Sequence, residues 1–211
     1  MDNLVEEYIY EHLDAESKVL NDLYRHTNRN VPYSGMISGH EQGRLLSMIS
    51  RMIRPEKILE IGTYTGYSAI CLAEGLSVGG RLHTVEIDDE LADTALSFFE
   101  KAGMNDKITL HTGDAVEIIP NLDMLFDLVF IDAAKKQYLN YYHAVFDKVK
   151  SGGYIIIDNI LWFGKVADLQ FQDEATTELR RFNDFVRDDT RVEKAIITNR
   201  DGLYILRKVR V

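Results

Sequence analysis

The chain has 211 residues, of which 45% are hydrophobic and 27% are charged, as in an ordinary globular protein long enough for one sizeable domain. Its formal net charge of −10 argues against a broad nucleic-acid-binding surface, although a local basic patch stays open. Cys71 is the only cysteine, so no intrachain disulfide can form, which fits a reducing compartment. The sequence has no apolar run of membrane-spanning length and no signal-peptide pattern. We therefore expect a cytoplasmic protein without a membrane partner.

Helical patterns fill the N-terminal part of the chain, residues 1–54. Apolar residues recur with amphipathic spacing in segments 4–13 and 17–27, which predicts two helices. A third helix is predicted from Ser38 to about Ile53, with Ser38 as its N-cap in a capping box that also uses the acid three residues on. These helices are expected to form either a lid or an oligomer interface, and the sequence leaves both open.

Strand and helix patterns alternate from about residue 56 onward. Five short apolar runs predict strands, and segments such as 89–102 and 137–149 predict helices between them. This alternation indicates a parallel sheet covered by helices. The predicted strands are 58–61, 81–86, 107–111, 127–132 and 153–158.

The C-terminal part has a different pattern. Two β-rich runs, 193–198 and 203–209, are joined by Asn199-Arg200-Asp201-Gly202. Because Asp-Gly is a strong hairpin signal, we expect the sheet to end in an antiparallel pair.

Acidic residues follow two of the predicted strands. Asp132 ends the fourth strand, and the pair Asp158-Asn159 ends the fifth. Neighbouring parallel strands place such residues together at the carboxyl edge of a sheet, where ligands bind in open α/β folds. Oxygen ligands of this kind favour Mg²⁺, Ca²⁺ or Mn²⁺ over zinc. The sequence therefore predicts a divalent-cation site at this edge.

A glycine-containing turn, residues 60–68, follows the first strand and opens a helix. Gly62 and Gly66 allow a tight turn and a close approach to a ligand. Their G-x-x-x-G spacing differs from that of dinucleotide binders, and no lysine follows as in a phosphate-binding loop. Glu60 would repel phosphates and favour a cation. A methylsulfonium-bearing amino acid fits these features.

Further acids follow the second and third strands. Glu86 lies at the end of the second strand, where an acid accepts hydrogen bonds from ribose hydroxyls. Asp114, followed by Ala115, lies after the third strand and would accept from an adenine amino group or cap the next helix. The ends of three consecutive strands thus carry residues suited to bind an amino acid, a ribose and a base. This arrangement predicts a nucleoside site.

These motifs together resemble a known family. Residues 58–68 are similar to motif I of class I S-adenosylmethionine-dependent methyltransferases. The run from Phe130 to Lys135 and the run from Asp158 to Trp162 resemble the metal-dependent small O-methyltransferases, that is, the catechol and caffeoyl-CoA group and its bacterial branch. The resemblance extends from about Met36 to the C-terminus. It implies a single methyltransferase domain over residues 1–211, with 55–211 as its catalytic core.

The resemblance implies a Rossmann-like, doubly wound α/β fold. Its seven-stranded sheet would be mostly parallel with an antiparallel last strand, with helices on both faces and extra helices at the N-terminus. A homodimer is also implied.

The resemblance also assigns roles to individual residues. Lys135 would act as general base beside Asp132, and Ala134 departs from the family pattern, which often has an acid there. Tyr138 and Trp162 would flank a flat substrate or pack in the core. The implied metal ligands are Asp132, Asp158 and Asn159. The implied cofactor-binding residues are Met36, Glu60, Gly62, Tyr64, Ser68, Glu86, Asp114, Ala115 and Asp132.

A metal ion would have a chemical role in the expected methyl transfer. Methyl transfer requires a reactive oxygen nucleophile, and a phenol with a pKa near 10 is mostly protonated at neutral pH. A divalent cation stabilises the oxyanion. Three protein oxygens leave about three of the roughly six positions around Mg²⁺ for other ligands. Two adjacent substrate oxygens and a water would complete the set, so we expect a catechol-like or phenolic acceptor.

Two alternative functions stay open. Some bacterial relatives methylate 5-hydroxyuridine in tRNA, and Arg44, Arg51 and Arg54 could form a basic strip on the third helix. The acidic total charge argues against tRNA. A non-catalytic nucleoside-binding module is the other alternative, because the fold alone does not imply activity.

Overall fold

The structure is a computed structural model that describes residues 3–209. Seven strands form one sheet in the order β3-β2-β1-β4-β5-β7-β6. The pairs among β1 to β5 are parallel, whereas β7 runs antiparallel to both of its neighbours. The strands are β1 Lys57–Ile61, β2 Arg81–Glu86, β3 Ile108–Thr112, β4 Phe126–Ile131, β5 Val149–Ile157, β6 Val192–Ile197 and β7 Leu203–Lys208.

Eight α-helices accompany the strands within the described residues. They are α1 Asn3–His12, α2 Lys18–Asn30, α3 Gly39–Ile53, α4 Tyr67–Ala73, α5 Ala92–Lys101, α6 Ala115–Ile118, α7 Tyr138–Phe146 and α8 Glu174–Asp188. Short 3₁₀ turns precede α3, α5 and α7 and follow α6 and β5. None of the helices described is long and apolar enough to cross a membrane.

Hydrophobic clusters cover both faces of the sheet, because alternate residues of each central strand point to opposite sides. In β1, Leu59 belongs to the cluster formed with α6, α7 and α8, whereas Ile58 belongs to the cluster formed with α2 to α5. Both residues are fully buried. The strands are therefore apolar on both faces, and their carboxyl ends are the places where polar residues can reach a ligand.

The predicted architecture is confirmed. The parallel sheet, the helices on both faces, the C-terminal hairpin and the N-terminal helices are all present. The predicted helix over 89–102 is divided between a 3₁₀ turn, Asp89–Leu91, and α5. Cys71 is buried in the core, as expected of a small free thiol.

The predicted capping box at Ser38 is wrong. Capping needs an extended backbone at the N-cap, but Ser38 is helical, with φ −58° and ψ −41°, and its side chain makes no capping bond. Its carbonyl oxygen accepts from Arg200, and the Glu41 carboxylate accepts from Asn199. The hairpin between β6 and β7 thus binds the Glu41 carboxylate that a capping box would use.

The sequence analysis missed α8, residues Glu174–Asp188. Its signals are nevertheless present. Asp173 caps the helix by accepting from the amide of Thr176, and Leu179, Phe182 and Val186 are spaced along one face. All three apolar residues are fully buried. Arg180 of this helix donates to the carbonyls of Val166 and Asp168, so the helix holds the segment that follows β5.

A stacked histidine pair joins β2 to β3 on one face of the sheet. His83 Nδ1 lies 3.0 Å from His111 Nε2, and the His83 ring also meets the edge of Phe126. Burial, and then the neighbouring His111, lowers the pKa of His83 to about 4. Burial also lowers the pKa of His111. Lys57 and Arg81 face His83 and act in the same direction.

This pair should make the fold sensitive to acid. Unfolded His83 takes up a proton near pH 6.5, whereas the folded residue resists protonation down to about pH 4. Its contribution to stability is therefore complete above pH 6.5 and is lost as the pH falls toward 4. In His83→Gln, the acid-induced fall in the free energy of unfolding should be smaller by about 1–2 kcal/mol.

Urea unfolding at several pH values between 6.5 and 4 would measure this difference. His143→Gln removes an exposed histidine and serves as the control. An equal acid-induced fall in the wild type and in His83→Gln would contradict the assignment.

Candidate cofactor and metal site

The carboxyl ends of β1 to β5 open onto a cavity of about 1460 Å³. Typical single-ligand pockets measure about 300–1,000 Å³, so this cavity has room for two small molecules side by side. Of the predicted site residues, Glu60 alone does not line it. The predicted residues that do are Met36, Gly62, Tyr64, Ser68, Glu86, Asp114, Ala115, Asp132, Lys135, Asp158 and Asn159.

The glycine turn connects β1 to α4 at the centre of this edge. Gly62 has φ +99°, and a Cβ at this position would lie 2.0 Å from the carbonyl oxygen of Asp132. Gly66 has φ +93°, and a Cβ there would meet the ring of Phe99 at 2.6 Å. Only glycine allows the turn to pass this close to the end of β4. The cofactor motif and the first predicted metal ligand are thus in backbone contact.

Glu60 lies beneath this turn and is fully buried. The Thr84 hydroxyl donates to its Oε2 at 2.6 Å, and Thr63, 2.5 Å away, in turn donates to Thr84. Its Oε1 has no hydrogen-bond partner in the described part of the chain. Burial raises the pKa of Glu60 to about 8, although the nearby hydroxyls of Ser68 and Thr84 lower it. An orphaned buried acceptor such as Oε1 fits the presence of a donor or a cation at the turn.

Glu86 links the glycine turn to the end of β2. Its carboxylate accepts from the backbone amides of Tyr64 at 2.6 Å, Ile87 at 3.0 Å and Asp88 at 3.1 Å. Only 8% of the residue is exposed. These three donors fix the carboxylate in position at the wall of the cavity, and a carboxylate keeps further lone pairs for a ligand.

Asp114 has the structural role that was one of its two predicted alternatives. Its Oδ1 accepts from the amide of Val116 at 2.9 Å, which caps α6. Asp114 also lines the cavity, as does Ala115. Capping therefore positions Asp114 at the cavity wall, and adenine binding there stays a prediction.

The three predicted metal ligands lie next to one another at the ends of β4 and β5. The register pairs Ile131 with Ile157, so Asp132 and Asp158 occupy equivalent positions one residue further on. The amide of Asp158 donates to the carbonyl of Ile131 at 3.0 Å, which continues the pairing. Asn159 follows in the left-handed region with φ +57°, a conformation that asparagine tolerates better than most residues.

Hydrogen bonds and charge hold these carboxylates in place. Lys135 donates to Asp132 Oδ1 at 2.7 Å. Asp158 Oδ1 accepts from the amide of Asn159 at 2.7 Å, and Oδ2 accepts from Gln42 at 2.7 Å. Burial, and then the neighbouring Asp132, raises the pKa of Asp158 to about 7. Two acids this close in a buried setting favour a bound cation.

Residues 3–209 contain no group of three or more histidine, cysteine, aspartate or glutamate residues placed to hold a metal. The predicted ligand set contains two carboxylates and one amide, so it has only two residues of these four types. All-oxygen donors of this kind still fit a hard cation such as Mg²⁺, which retains waters and substrate oxygens in its shell. The donor chemistry therefore fits the predicted metal.

The N-terminal segment is fastened to the glycine turn by side chains of the turn itself. The Tyr64 hydroxyl donates to the carbonyl of Pro32 at 2.8 Å, and Thr27 donates to Thr65 at 3.0 Å. The Tyr67 hydroxyl donates to Glu16. Met36 follows on this segment and lines the cavity, with 57% of it exposed. The lid or interface role of residues 1–54 stays a prediction.

The two aromatic residues noted near the metal ligands have different environments. Tyr138 is fully buried, packs edge-on against Phe182 and donates to the carbonyl of Asp158 at 2.9 Å. It supports the site from within the core. Trp162 lines the cavity beside Phe163, which is 78% exposed. Trp162 is thus placed to contact a substrate and Tyr138 is not.

The sequence analysis missed three polar residues at this site. Gln42 reaches it from the first turn of α3, and Arg200 and Asp201 reach it from the β6–β7 hairpin. The hairpin itself was predicted, but the sequence carries no signal that its tip meets α3. Arg200 has φ +47°, so its backbone has the left-handed conformation that usually signals glycine or asparagine.

Several known proteins are similar to this chain in sequence and in fold. The profile of the family described as O-methyltransferase matches residues 10–209. Caffeoyl-CoA O-methyltransferase from Populus kitakamiensis is 32% identical over 220 residues, covering 97% of this chain and 93% of the relative. An O-methyltransferase from Bacillus cereus, solved in complex with SAH, is 30% identical, with a TM-score of 0.90 over 97% of each chain.

The O-methyltransferase TomG from Streptomyces achromogenes, involved in tomaymycin synthesis and solved with SAM, is also 30% identical. Its TM-score is 0.90, with 98% of this chain and 96% of that chain covered. Fold, sequence and relatives together define a class I S-adenosylmethionine-dependent methyltransferase. The chain belongs to the O-methyltransferase family that includes the caffeoyl-CoA O-methyltransferases. The resemblance of its motifs to this family is therefore confirmed.

The close approach at Gly62 can be tested directly. In Gly62→Ala the new methyl group would collide with the backbone of Asp132, in addition to the strain of a positive φ. We expect a loss of about 3 kcal/mol or more of stability together with loss of cofactor binding. Gly79→Ala is a matched control, because Gly79 also has a positive φ, +77°, but no atom lies within 4 Å of its added Cβ.

Gly79→Ala should therefore show the backbone strain alone, about 1–2 kcal/mol. Urea unfolding and calorimetry with S-adenosylhomocysteine would measure both variants. Equal destabilisation of the two variants would show that the contact with Asp132 does not matter.

Proposed function

We propose that this O-methyltransferase depends on a divalent cation and methylates a hydroxyl group of a small catechol-like or phenolic molecule. The observation that carries the proposal is the position of Asp132, Asp158 and Asn159. These three oxygen-bearing side chains lie at the ends of adjacent strands, beside the glycine turn and along one cavity. A methyl donor bound at the turn and a hydroxyl bound at the acids would therefore be neighbours.

The cofactor is S-adenosylmethionine, which supplies an activated methyl group on a positively charged sulfur. We propose that Glu60, Gly62, Tyr64 and Ser68 form the end of the site that receives its amino-acid part. The orphaned Oε1 of Glu60 supports this assignment, because a buried acceptor at this turn lacks a donor. The remaining contacts would come from Met36, Glu86 at the ribose, Asp114 and Ala115 at the base, and Asp132.

We assign Asp132, Asp158 and Asn159 as the metal ligands, with Mg²⁺ as the expected ion and Ca²⁺ or Mn²⁺ as alternatives. A divalent cation at this position would supply charge that stabilises the acceptor as an oxyanion. The chain supplies the ligands from two adjacent strand ends. Burial restricts the movement of Asp158, which is only 3% exposed.

Lys135 is the proposed general base for the acceptor hydroxyl. Its amine projects from the start of the 3₁₀ turn before α7 and lies 5.2 Å from the centre of the Tyr138 ring. In the structure it donates to Asp132 at 2.7 Å. Lys135 can act as a base only after its ammonium group has lost a proton to the solvent, and a divalent cation held by Asp132 would favour that loss through charge repulsion. The lone pair of the neutral amine would then accept the proton of the acceptor hydroxyl.

The aromatic and apolar residues in the cavity lining support a flat acceptor. Trp162, Phe163 and Val166 line the cavity, as does Lys136. Relatives named for caffeoyl-CoA and for the 3′ and 5′ positions of flavonoids are 32% identical to this chain. Both names describe phenolic acceptors. A substrate with two adjacent oxygens would satisfy the open positions of a hard cation.

The structure does not favour a tRNA substrate. Arg44 and Arg51 both pair with Glu74, at 3.7 Å and 3.1 Å, and Arg44 also pairs with Asp14 at 2.7 Å. The proposed basic strip is thus largely neutralised within the chain. The family assignment sets aside the non-catalytic alternative. Metal dependence, the homodimer and the cytoplasmic location stay predictions.

A methyl-transfer assay with radiolabelled cofactor tests the function. Purified enzyme treated with a chelator should be inactive on simple catechols and should recover when Mg²⁺ is added. Asp158→Ala should stay inactive with Mg²⁺ while still binding S-adenosylhomocysteine, because Asp158 is proposed to bind only the metal. Asp123→Ala removes an exposed acid and should behave as the wild type.

Activity that survives chelation, or that survives in Asp158→Ala, would refute the metal mechanism. A panel containing catechols, monohydroxylated phenols and undermodified tRNA, assayed side by side, identifies the acceptor class. Transfer to tRNA alone would overturn the proposed substrate class and leave the metal assignment standing.

The proposed ribose contact is tested by Glu86→Gln. This change keeps the volume of the side chain but removes the charge, so affinity for S-adenosylhomocysteine should fall about tenfold or more. Isothermal titration calorimetry measures the dissociation constant. Glu90→Gln, a nearby exposed acid, is the control. An unchanged dissociation constant in Glu86→Gln would remove Glu86 from the cofactor site.

A further inference from the structure

Gln42 is a buried side chain that touches a proposed metal ligand from outside the sheet. It lies in the first turn of α3 and is only 1% exposed. Its Nε2 donates to Asp158 Oδ2 at 2.7 Å, across 116 residues of sequence. The other oxygen of Asp158 accepts from the amide of Asn159. Gln42 is thus the side chain that binds the second oxygen, Oδ2, of this carboxylate.

Arg200 fixes the orientation of the Gln42 amide group. Its Nη1 donates to Gln42 Oε1 at 3.0 Å. Arginine can only donate, so the group that it contacts must be an acceptor. The Gln42 oxygen must therefore face Arg200, and its NH₂ group must face Asp158. The flipped amide would put two donors together and an oxygen against a carboxylate.

Arg200 also contacts the segment that leads into α3. The same Nη1 donates to the carbonyl of Ile37 at 3.3 Å and to that of Ser38. Met36, the residue before Ile37, lines the cofactor cavity. One guanidinium from the β6–β7 hairpin thus joins the edge of the cofactor site to the side chain that holds Asp158.

A nearly inaccessible carboxylate needs such support. Asp158 is 3% exposed, so groups of the protein must supply most of its hydrogen-bond donors. Removing a residue that hydrogen-bonds to a metal ligand typically lowers the affinity for the metal by about 10–100-fold.

We propose that Gln42 is a positioning residue for the metal ligand Asp158 and that Arg200 sets the direction of its amide. The proposal rests on the metal site of the proposed function. Gln42 neither binds the metal nor touches the reacting atoms. It binds Asp158 Oδ2 and so restricts the orientations that this carboxylate can adopt.

Mn²⁺ binding, followed by electron paramagnetic resonance and calorimetry on the full chain without acceptor, tests the proposal. Gln42→Met keeps the length of the side chain but removes both hydrogen bonds. Its affinity for Mn²⁺ should fall about tenfold or more, whereas its affinity for S-adenosylhomocysteine should stay within about twofold of the wild type. Arg200→Met should act in the same direction with a smaller effect, because it acts through Gln42.

Asn199→Ala is the matched control. Asn199 lies on the same hairpin and binds Glu41 in the same turn of α3, but it makes no hydrogen bond to Asp158. The control breaks a link between the same two elements and should leave Mn²⁺ affinity unchanged. An equal loss in Asn199→Ala and Gln42→Met would show that the hairpin has only a general structural role.

The possible failures can be told apart. A wild-type protein that does not bind Mn²⁺, or whose Mn²⁺ affinity is unaltered in Asp158→Ala, would refute the proposed metal site. A wild type that binds at Asp158, with Gln42→Met binding as tightly or more tightly, would overturn the role of Gln42 alone. If Gln42→Met does not fold, Arg200→Met decides the question by the same measurement.

Discussion

The geometry of the site depends on one close approach between two strand ends. Gly62 passes so near the carbonyl oxygen of Asp132 that a methyl group at its Cβ position would lie 2.0 Å away. This contact places the glycine turn directly beside the acids that end β4 and β5. A methyl donor and an activated hydroxyl must meet almost in contact for an in-line transfer. The absence of a side chain at Gly62 is therefore what allows both halves of the site to share one cavity.

A second feature of the site is its buried acids, most of whose oxygens accept hydrogen bonds from nearby donors. Glu86 accepts from three backbone amides, and Asp158 accepts from the amide of Asn159 and from Gln42. Glu60 is the exception, because its Oε1 lacks a partner and its pKa is raised to about 8. Buried polar groups are normally satisfied, so unsatisfied ones point to a ligand. The acids held in this way form part of the cavity wall, and the unpartnered oxygen of Glu60 supports the proposed position of the cofactor at the glycine turn.

Two segments distant in sequence are hydrogen-bonded to the elements that carry this site. The N-terminal segment is fastened to the glycine turn through Thr27, Pro32 and Glu16, and the β6–β7 hairpin is fastened to α3 through Arg200. Neither segment belongs to the parallel half of the sheet. The glycine turn and the proposed metal ligands are thus each supported by an element outside β1 to β5. The seven-stranded sheet determines where the residues of the site lie. The N-terminal segment and the β6–β7 hairpin hold their side chains in place.

The sequence by itself determined the sheet, the glycine turn and the rim acids, because strand periodicity and a polar residue at a strand end are local patterns. It also determined that Lys135 follows Asp132 by three residues. The tertiary structure alone decided that Ser38 is not a cap and that Tyr138 belongs to the core. It also decided that Gln42 meets Asp158 across 116 residues of sequence and that Arg200 meets Gln42 across 158. Such contacts depend on how α3 and the hairpin pack against the sheet, and no pattern in a single segment encodes that packing.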